Sequence, residues 1–266
     1  MSGLIKGMRG RGGYDLPLGL VVVLAGTLLA GCATKGARDN DPAGALGPDA
    51  PESSADIYVA LAGEYYARGQ MDIALQRANQ ALDEDSDNAR AQLINALIYQ
   101  RLGETAKADG FFTRAVELDP KDPTIRNAWG TSFCGQKRFA EADVQFKAAL
   151  ENPLYATPWI ARTNAGICAK MAGDRTKARV YLDQALAGNP NFGPALLTLA
   201  ELDESQGDAR SASALITRYF NTSPPTAQAL ALGVRVERKR GNKKLASTYA
   251  NALKERFPSS PEAGSL

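Results

Sequence analysis

Gly69 and Gly103 lie 34 residues apart, as do Gly173 and Gly207, and Gly207 and Gly241, while Pro190, Pro224 and Pro258 recur at the same interval. A fixed period of this length means one supersecondary unit used many times, so the chain folds by stacking like units. The gap from Gly103 to Gly173 is two periods plus two residues, which keeps the register across the whole stretch. Between the punctuating residues the spacing is helical. Ala108, Phe112 and Ala115 precede Pro120, Ala142, Phe146 and Ala149 repeat the pattern, and Ala178, Leu182 and Ala185 precede Pro190. Alanine at the closest contacts lets two backbones approach, and glycine between them allows the left-handed turn that reverses the chain. A single amphipathic helix pair cannot bury its apolar face alone, whereas stacked pairs share a continuous core.

This pattern resembles the tetratricopeptide repeat (TPR), with units at about 55–88, 89–122, 123–156, 159–192, 193–226 and 227–260. Trp129-Gly130 with Phe133 supplies the matching signature of a first helix. The resemblance implies an all-α solenoid of six helix-turn-helix repeats wound into a right-handed superhelix. The two extra residues fall between Pro153 and Pro158 and predict a longer connection between the third and fourth units. Residues 261–266 remain as a C-terminal tail.

Ahead of the repeats, Lys6, Arg9 and Arg11 form a charged head, and Leu16 to Ala30 form an apolar run interrupted by Pro17, Gly19 and Gly26. That run is short for a membrane span. It ends in Leu29-Ala30-Gly31-Cys32, which resembles the lipid-attachment box of bacterial lipoproteins. The resemblance implies a signal peptide over 1–31, a diacylglycerol on the Cys32 thiol as the only attached group, and a mature chain that begins there. Ala33 stands where an aspartate would favour the inner membrane, so the expected address is the periplasmic face of the outer membrane, reached through the lipid anchor. An uncleaved membrane anchor or an ordinary secretory signal is the alternative. From Ala33 to Ser54 the chain is mostly Gly, Ala, Pro, Asp and Ser with almost no large apolar residue, and it reads as a flexible tether.

The formal net charge is +2 at neutral pH and the chain contains no histidine. Near-neutral charge names no nucleic-acid partner. Without histidine the commonest general base, the Ser-His and Cys-His nucleophile pairs and the commonest metal ligand are all missing. The acidic residues are spread along helices, with no Gly-rich phosphate loop and no Cys-x-x-Cys. The sequence therefore points away from an enzyme, a metal site, a cofactor or a small-molecule substrate, and toward a protein scaffold.

Cys134 and Cys168 remain once Cys32 is committed to lipid. In the repeat frame they stand two positions apart on neighbouring first helices, about 200° of rotation, so their side chains can face each other. With helix axes about 10 Å apart, the facing Cα atoms come within disulfide range. A disulfide and a pair of small buried hydrophobes are both open readings.

Partner-facing positions on the first helices of units one and two include Val59, Tyr66, Leu93 and Leu97. Apolar side chains there suggest a groove for an amphipathic helix or an extended hydrophobic peptide, unless the tether or neighbouring helices cover them. The carboxylate clamp of chaperone-binding TPR domains is missing, and Gly63 stands where that clamp needs an asparagine. Unit six is basic, with Arg235, Arg238, Lys239, Arg240, Lys243 and Lys244. Glu201 and Glu204 occupy matching positions one repeat earlier, so pairing between stacked helices competes with recognition of an acidic partner or lipid headgroups. Trp129 and Trp159 read as packing residues.

Asn127-Ala-Trp-Gly130 with Cys134, and Asn164-Ala-Gly166 with Cys168, together with the lipid box, the tether and six repeats, resemble the PilF/PilW family of type IV pilus biogenesis lipoproteins. The resemblance implies a pilotin, an outer-membrane lipoprotein that binds the pilus secretin through its groove and promotes its localisation and multimerisation. The rival reading is a TPR lipoprotein of another envelope system, an adaptor for peptidoglycan hydrolases or for outer-membrane protein assembly.

Overall fold

The computed structural model of the protein describes residues 53–265, so the leader, Cys32 and most of the tether lie outside the described residues. Six antiparallel helix pairs follow in order: α1 (Ser54–Ala67) with α2 (Met71–Glu84), α3 (Ala89–Arg101) with α4 (Thr105–Leu118), α5 (Pro123–Gly135) with α6 (Phe139–Leu150), α7 (Pro158–Met171) with α8 (Arg175–Gly188), α9 (Gly193–Ser205) with α10 (Ala209–Thr222), and α11 (Ala227–Lys239) with α12 (Lys243–Arg256). A single turn, α13 (Pro261–Gly264), closes the chain, and the described residues contain no strand. Each second helix packs on the next first helix, and the first helices α1, α3, α5, α7, α9 and α11 touch in sequence. That is the architecture of a TPR superhelix.

Local chemistry sets where each helix starts. Ser53 accepts from the Asp56 N–H at 3.2 Å, Asn88 from Ala91 at 2.9 Å and Thr226 from Ala229 at 3.2 Å, each satisfying a donor the helix leaves free. Pro123 and Pro158 open α5 and α7, where their missing N–H costs nothing. Two boundaries differ from the sequence reading. Ser54, expected as the end of the tether, is the first residue of α1 because Ser53 caps the helix. The tail at 261–266 contains α13, whose Ala263 packs against Leu230, Ala231 and Leu253.

The reversals within pairs share one device. The residue after the helix cap takes a left-handed backbone, with φ of 76° at Gly69, 80° at Gly103, and 85° at Gly173 and Gly207. The following N–H then reaches back to close the helix, as Gln70 does to the Tyr65 carbonyl at 2.9 Å. Unit three departs from the rule. Its left-handed residue is Lys137, at φ 61°, and this lysine holds the register across the long gap between Gly103 and Gly173.

Glycine serves a second purpose at Gly130 and Gly166. A Cβ on Gly130 would sit 2.8 Å from the Phe146 ring and 3.2 Å from the Ala142 carbonyl, and one on Gly166 would sit 2.8 Å from Leu182 and 3.2 Å from the Ala178 carbonyl. First and second helices touch backbone to side chain there. The core consequently comes in linked segments, one per contact between pairs, such as Ala62, Ala74, Ala78, Ile94 and Ile98 near the start and Ala200, Ala212, Ile216, Leu232 and Val236 near the end. Trp129 stacks between Phe112 and Phe133, at 6.2 and 5.0 Å between ring centroids, and Trp159 packs on the segment containing Leu182 and Leu199. Both tryptophans are packing residues.

Candidate partner-binding groove

Because the first helices stack side by side, their free faces form one inner wall, and it divides into two chemically different halves. In the first half, Tyr66 from α1, Leu97, Gln100 and Arg101 from α3, and Ala128 and Thr131 from α5 line an open hollow of about 390 Å³. The Arg101 guanidinium lies 5.2 Å from the centroid of the Tyr66 ring and also donates to the Tyr66 carbonyl at 3.4 Å. No carboxylate of the described residues pairs with it. The hollow therefore offers an aromatic face, aliphatic surface and one unneutralised cation, the chemistry suited to a peptide that carries apolar side chains beside an acidic group.

The second half is largely paired within itself, with Arg238 left exposed. Asn164 donates to the Asn127 amide oxygen at 3.0 Å, joining α7 to α5. Lys170 pairs with Glu201, which also accepts from Gln228 at 2.6 Å, and Lys239 pairs with Glu204. Arg235 stands 4.0 Å from the same Glu204 carboxylate. Pairing thus takes up Arg235 and Lys239 of the basic sixth unit, while Glu201 turns instead toward the fourth. Deeper in the stack, Asp203 and Glu237, 34 residues apart, are both buried and both neutralised by arginine. Asp203 is met by Arg179 of the preceding second helix. Glu237 is met at 3.0 Å by Arg240, which also donates to Ser213 at 2.6 Å. A buried acid without such a partner would cost several kcal/mol.

Of the four residues read from the sequence as groove-lining, the structure brings Tyr66 and Leu97 together in the hollow. Leu93 is half-buried and packs on the segment of Ala96, Ala108 and Phe112, and half-buried Val59 lies elsewhere on α1. Leu97 itself also packs on the core, so charging Leu93 and Leu97 would disturb the stack as well as the groove. Gln100, Arg101, Ala128 and Thr131 were missed. A signal existed for three of them, since they occupy the twelfth, thirteenth and ninth places of their first helices, but a search for apolar residues passes over them.

Cys134 and Cys168 are joined as a disulfide with Cα atoms 5.6 Å apart, linking α5 to α7 across the longer connection between units three and four. Beside it a second hollow of about 330 Å³ is lined by Phe139, Phe146, Ala165 and Cys168, with Asp143 and Lys177 at its edge. Burial alone would raise the Asp143 carboxyl, but the ammonium groups of Lys177 and Lys147, 2.7 and 3.0 Å away, outweigh it and hold the group below its ordinary range. The neighbouring Tyr181 phenol donates to Asp143 at 3.3 Å and is pushed up to about 12, by burial first and by the Asp143 charge second. These groups form a neutralised lock between α6 and α8.

Stacked helix pairs with a left-handed turn in each and an open inner wall define a scaffold of the TPR class. Tetratricopeptide-repeat family models match residues 169–235 and 59–123. The chain belongs to the PilF/PilW family of TPR proteins. Its fold matches the crystal structure of PilW, described as a widely conserved type IV pilus biogenesis factor, with a TM-score of 0.72 and 33% identity over 79% of this chain and 97% of that one. The structure of Pseudomonas aeruginosa PilF matches with a TM-score of 0.69 and 25% identity, over 79% of this chain and 95% of that one. In sequence, the type IV pilus assembly protein PilF of Pseudomonas aeruginosa is 26% identical over 91% of this chain and 94% of its own length.

Proposed function

We propose that this protein is an outer-membrane pilotin of type IV pilus biogenesis, a lipid-anchored, non-catalytic scaffold that binds the pilus secretin and promotes its localisation and multimerisation. The observation that carries the reading is the contrast along the inner wall, where the hollow of Tyr66, Leu97 and Arg101 is open while Lys170, Lys239, Glu201 and Glu204 beyond it are paired with one another. A segment of the secretin with apolar side chains beside a carboxylate would complete that surface. The relatives named for type IV pilus assembly and biogenesis support the setting.

Arg101→Glu tests the groove at an exposed side chain outside the core segments, and Tyr66→Ala tests it at a half-buried ring that also packs on the segment of Ala62 and Ile94, so its stability must be measured beside its binding. Each should weaken capture of the secretin by about 2 kcal/mol, roughly thirtyfold, as expected for an aromatic or arginine anchor. Circular dichroism should remain that of the parent. Folded variants that capture secretin as the parent does would remove the groove from the mechanism. A parent chain that binds no secretin would turn the reading to the scaffold of another envelope system, an adaptor for peptidoglycan hydrolases or outer-membrane protein assembly.

Anchoring is tested separately at Cys32, which belongs to the box Leu29-Ala30-Gly31-Cys32. Serine cannot form the thioether, so Cys32→Ser should abolish acyl labelling and outer-membrane fractionation. Retention of both would sink the lipoprotein reading.

A further inference from the structure

The six turns within the helix pairs lie in a row along one edge of the solenoid, since the first helices stack in order and so do the pairs they belong to. This edge carries a line of exposed cations. Lys137 stands at the third turn, Arg175 at the fourth, Arg210 at the fifth, and Arg238, Lys243 and Lys244 at the sixth. None of them pairs with a carboxylate of the described residues. Apart from Asp72 at the first turn, the acids on the same edge are already engaged. Asp174 and Asp208 accept from the backbone of Lys177 and Ser211 as helix caps, and Glu104 and Glu204 pair with Lys107 and Lys239.

Two placements along this line work against the fold. Lys137 holds a left-handed backbone at φ 61°, where the equivalent turns at Gly69, Gly103, Gly173, Gly207 and Gly241 use glycine. A lysine there is strained, and such strain persists where the side chain has a purpose. Lys243 and Lys244 occupy the first turn of α12, which contains no acid to offset them. The helix dipole disfavours cations at that end. Stability alone would select glycine at 137 and acids at 243 and 244.

We propose that this turn edge, from Lys137 through Lys244, docks on the anionic headgroups of the bilayer surface. Cations spread over four successive repeats match an extended anionic surface better than a compact acidic ligand. The choice of a bilayer as occupant rests on the membrane address proposed above. Docking by this edge would fix the orientation that a flexible tether leaves free, holding the groove to one side of the contact.

The test reconstitutes the full chain into neutral phosphatidylcholine vesicles and into vesicles that also contain phosphatidylglycerol, and reads lysine labelling by an amine-reactive reagent at each site. Association with both vesicle types reports the anchor, so loss of the anchor and loss of docking give different results. Docking predicts that labelling of Lys137, Lys243 and Lys244 falls several-fold in anionic vesicles, relative to Lys121 and Lys254 near the opposite edge, and recovers at high salt. Lys137→Gly and the pair Lys243→Glu with Lys244→Glu each remove charge while favouring the fold, so misfolding cannot explain their effect. Each should restore labelling at the lysines that remain. Equal labelling of the row in both vesicle types would overturn the proposal. So would protection that appears only when envelope proteins are added, which would assign the row to an acidic protein.

Discussion

Phe112→Ala should cost about 3–5 kcal/mol, as large-to-small changes at fully buried aromatic positions do. Phe112 has no exposed surface, packs with Ala96 and Ala108, and stacks on Trp129 of the next repeat, so its removal opens a void at the junction of units two and three. Repeats contact only their neighbours, so the loss concentrates at that junction and cannot be shared along the stack. Urea denaturation followed by circular dichroism should show a lower midpoint, with hydrogen exchange fastest to rise in α3 to α5. The groove spans the same junction through Leu97 and Ala128, so partner capture should fall with stability. Val144→Ala, at a side chain 61% exposed on α6, is the matched control and should stay within about 0.5 kcal/mol of the parent. Equal stability of the two variants would refute the account of the core.

Removal of the Cys134–Cys168 bridge should cost roughly 3–4 kcal/mol in the chain-entropy account, because it closes a loop of 34 residues. The bridge spans the place where the solenoid has its longest connection, and Asn152 is tied back there to the Lys121 carbonyl at 3.0 Å. Cys134→Ala with Cys168→Ala should therefore lower the melting temperature by several degrees and loosen α5 against α7 before the rest. Reduction of the parent should reproduce most of that change. A thiol titration of the denatured, unreduced protein should find neither Cys134 nor Cys168 free, and finding both free would withdraw the prediction.

Much of the fold is legible in the chain because a repeat states the same local rule many times. Ala108, Phe112 and Ala115 announce a helix contact, Gly103 announces the reversal before it, and the 34-residue interval carries both to the next unit. Lys137 shows where that reading ends. Nothing in its residue type announces a left-handed turn, and the unit is recognised there only through the register of its neighbours. Ser54 and α13 moved for a simpler reason, since a serine cap and a small apolar contact recruit residues that composition assigns to linkers. In the groove, Tyr66 and Leu97 could be read from apolar type and helical position, whereas Arg101 looks like any exposed arginine until its place on the Tyr66 ring is known.

The sequence by itself determined the number of repeats, their helical content, the register across the long gap and the facing positions of Cys134 and Cys168, because each depends on spacing along one chain and on the 3.6-residue turn of the helix. Only the tertiary structure decided which half of the inner wall is open. Lys170 with Glu201, and Lys239 with Glu204, join side chains 31 and 35 residues apart, and those contacts exist only once the repeats stack. Arg101 has no such carboxylate in reach, because the stacked neighbours of its helix present Tyr66, Ala128 and Thr131 to the same hollow. An unpaired charge beside apolar surface is a property of that assembled neighbourhood and of no single residue within it.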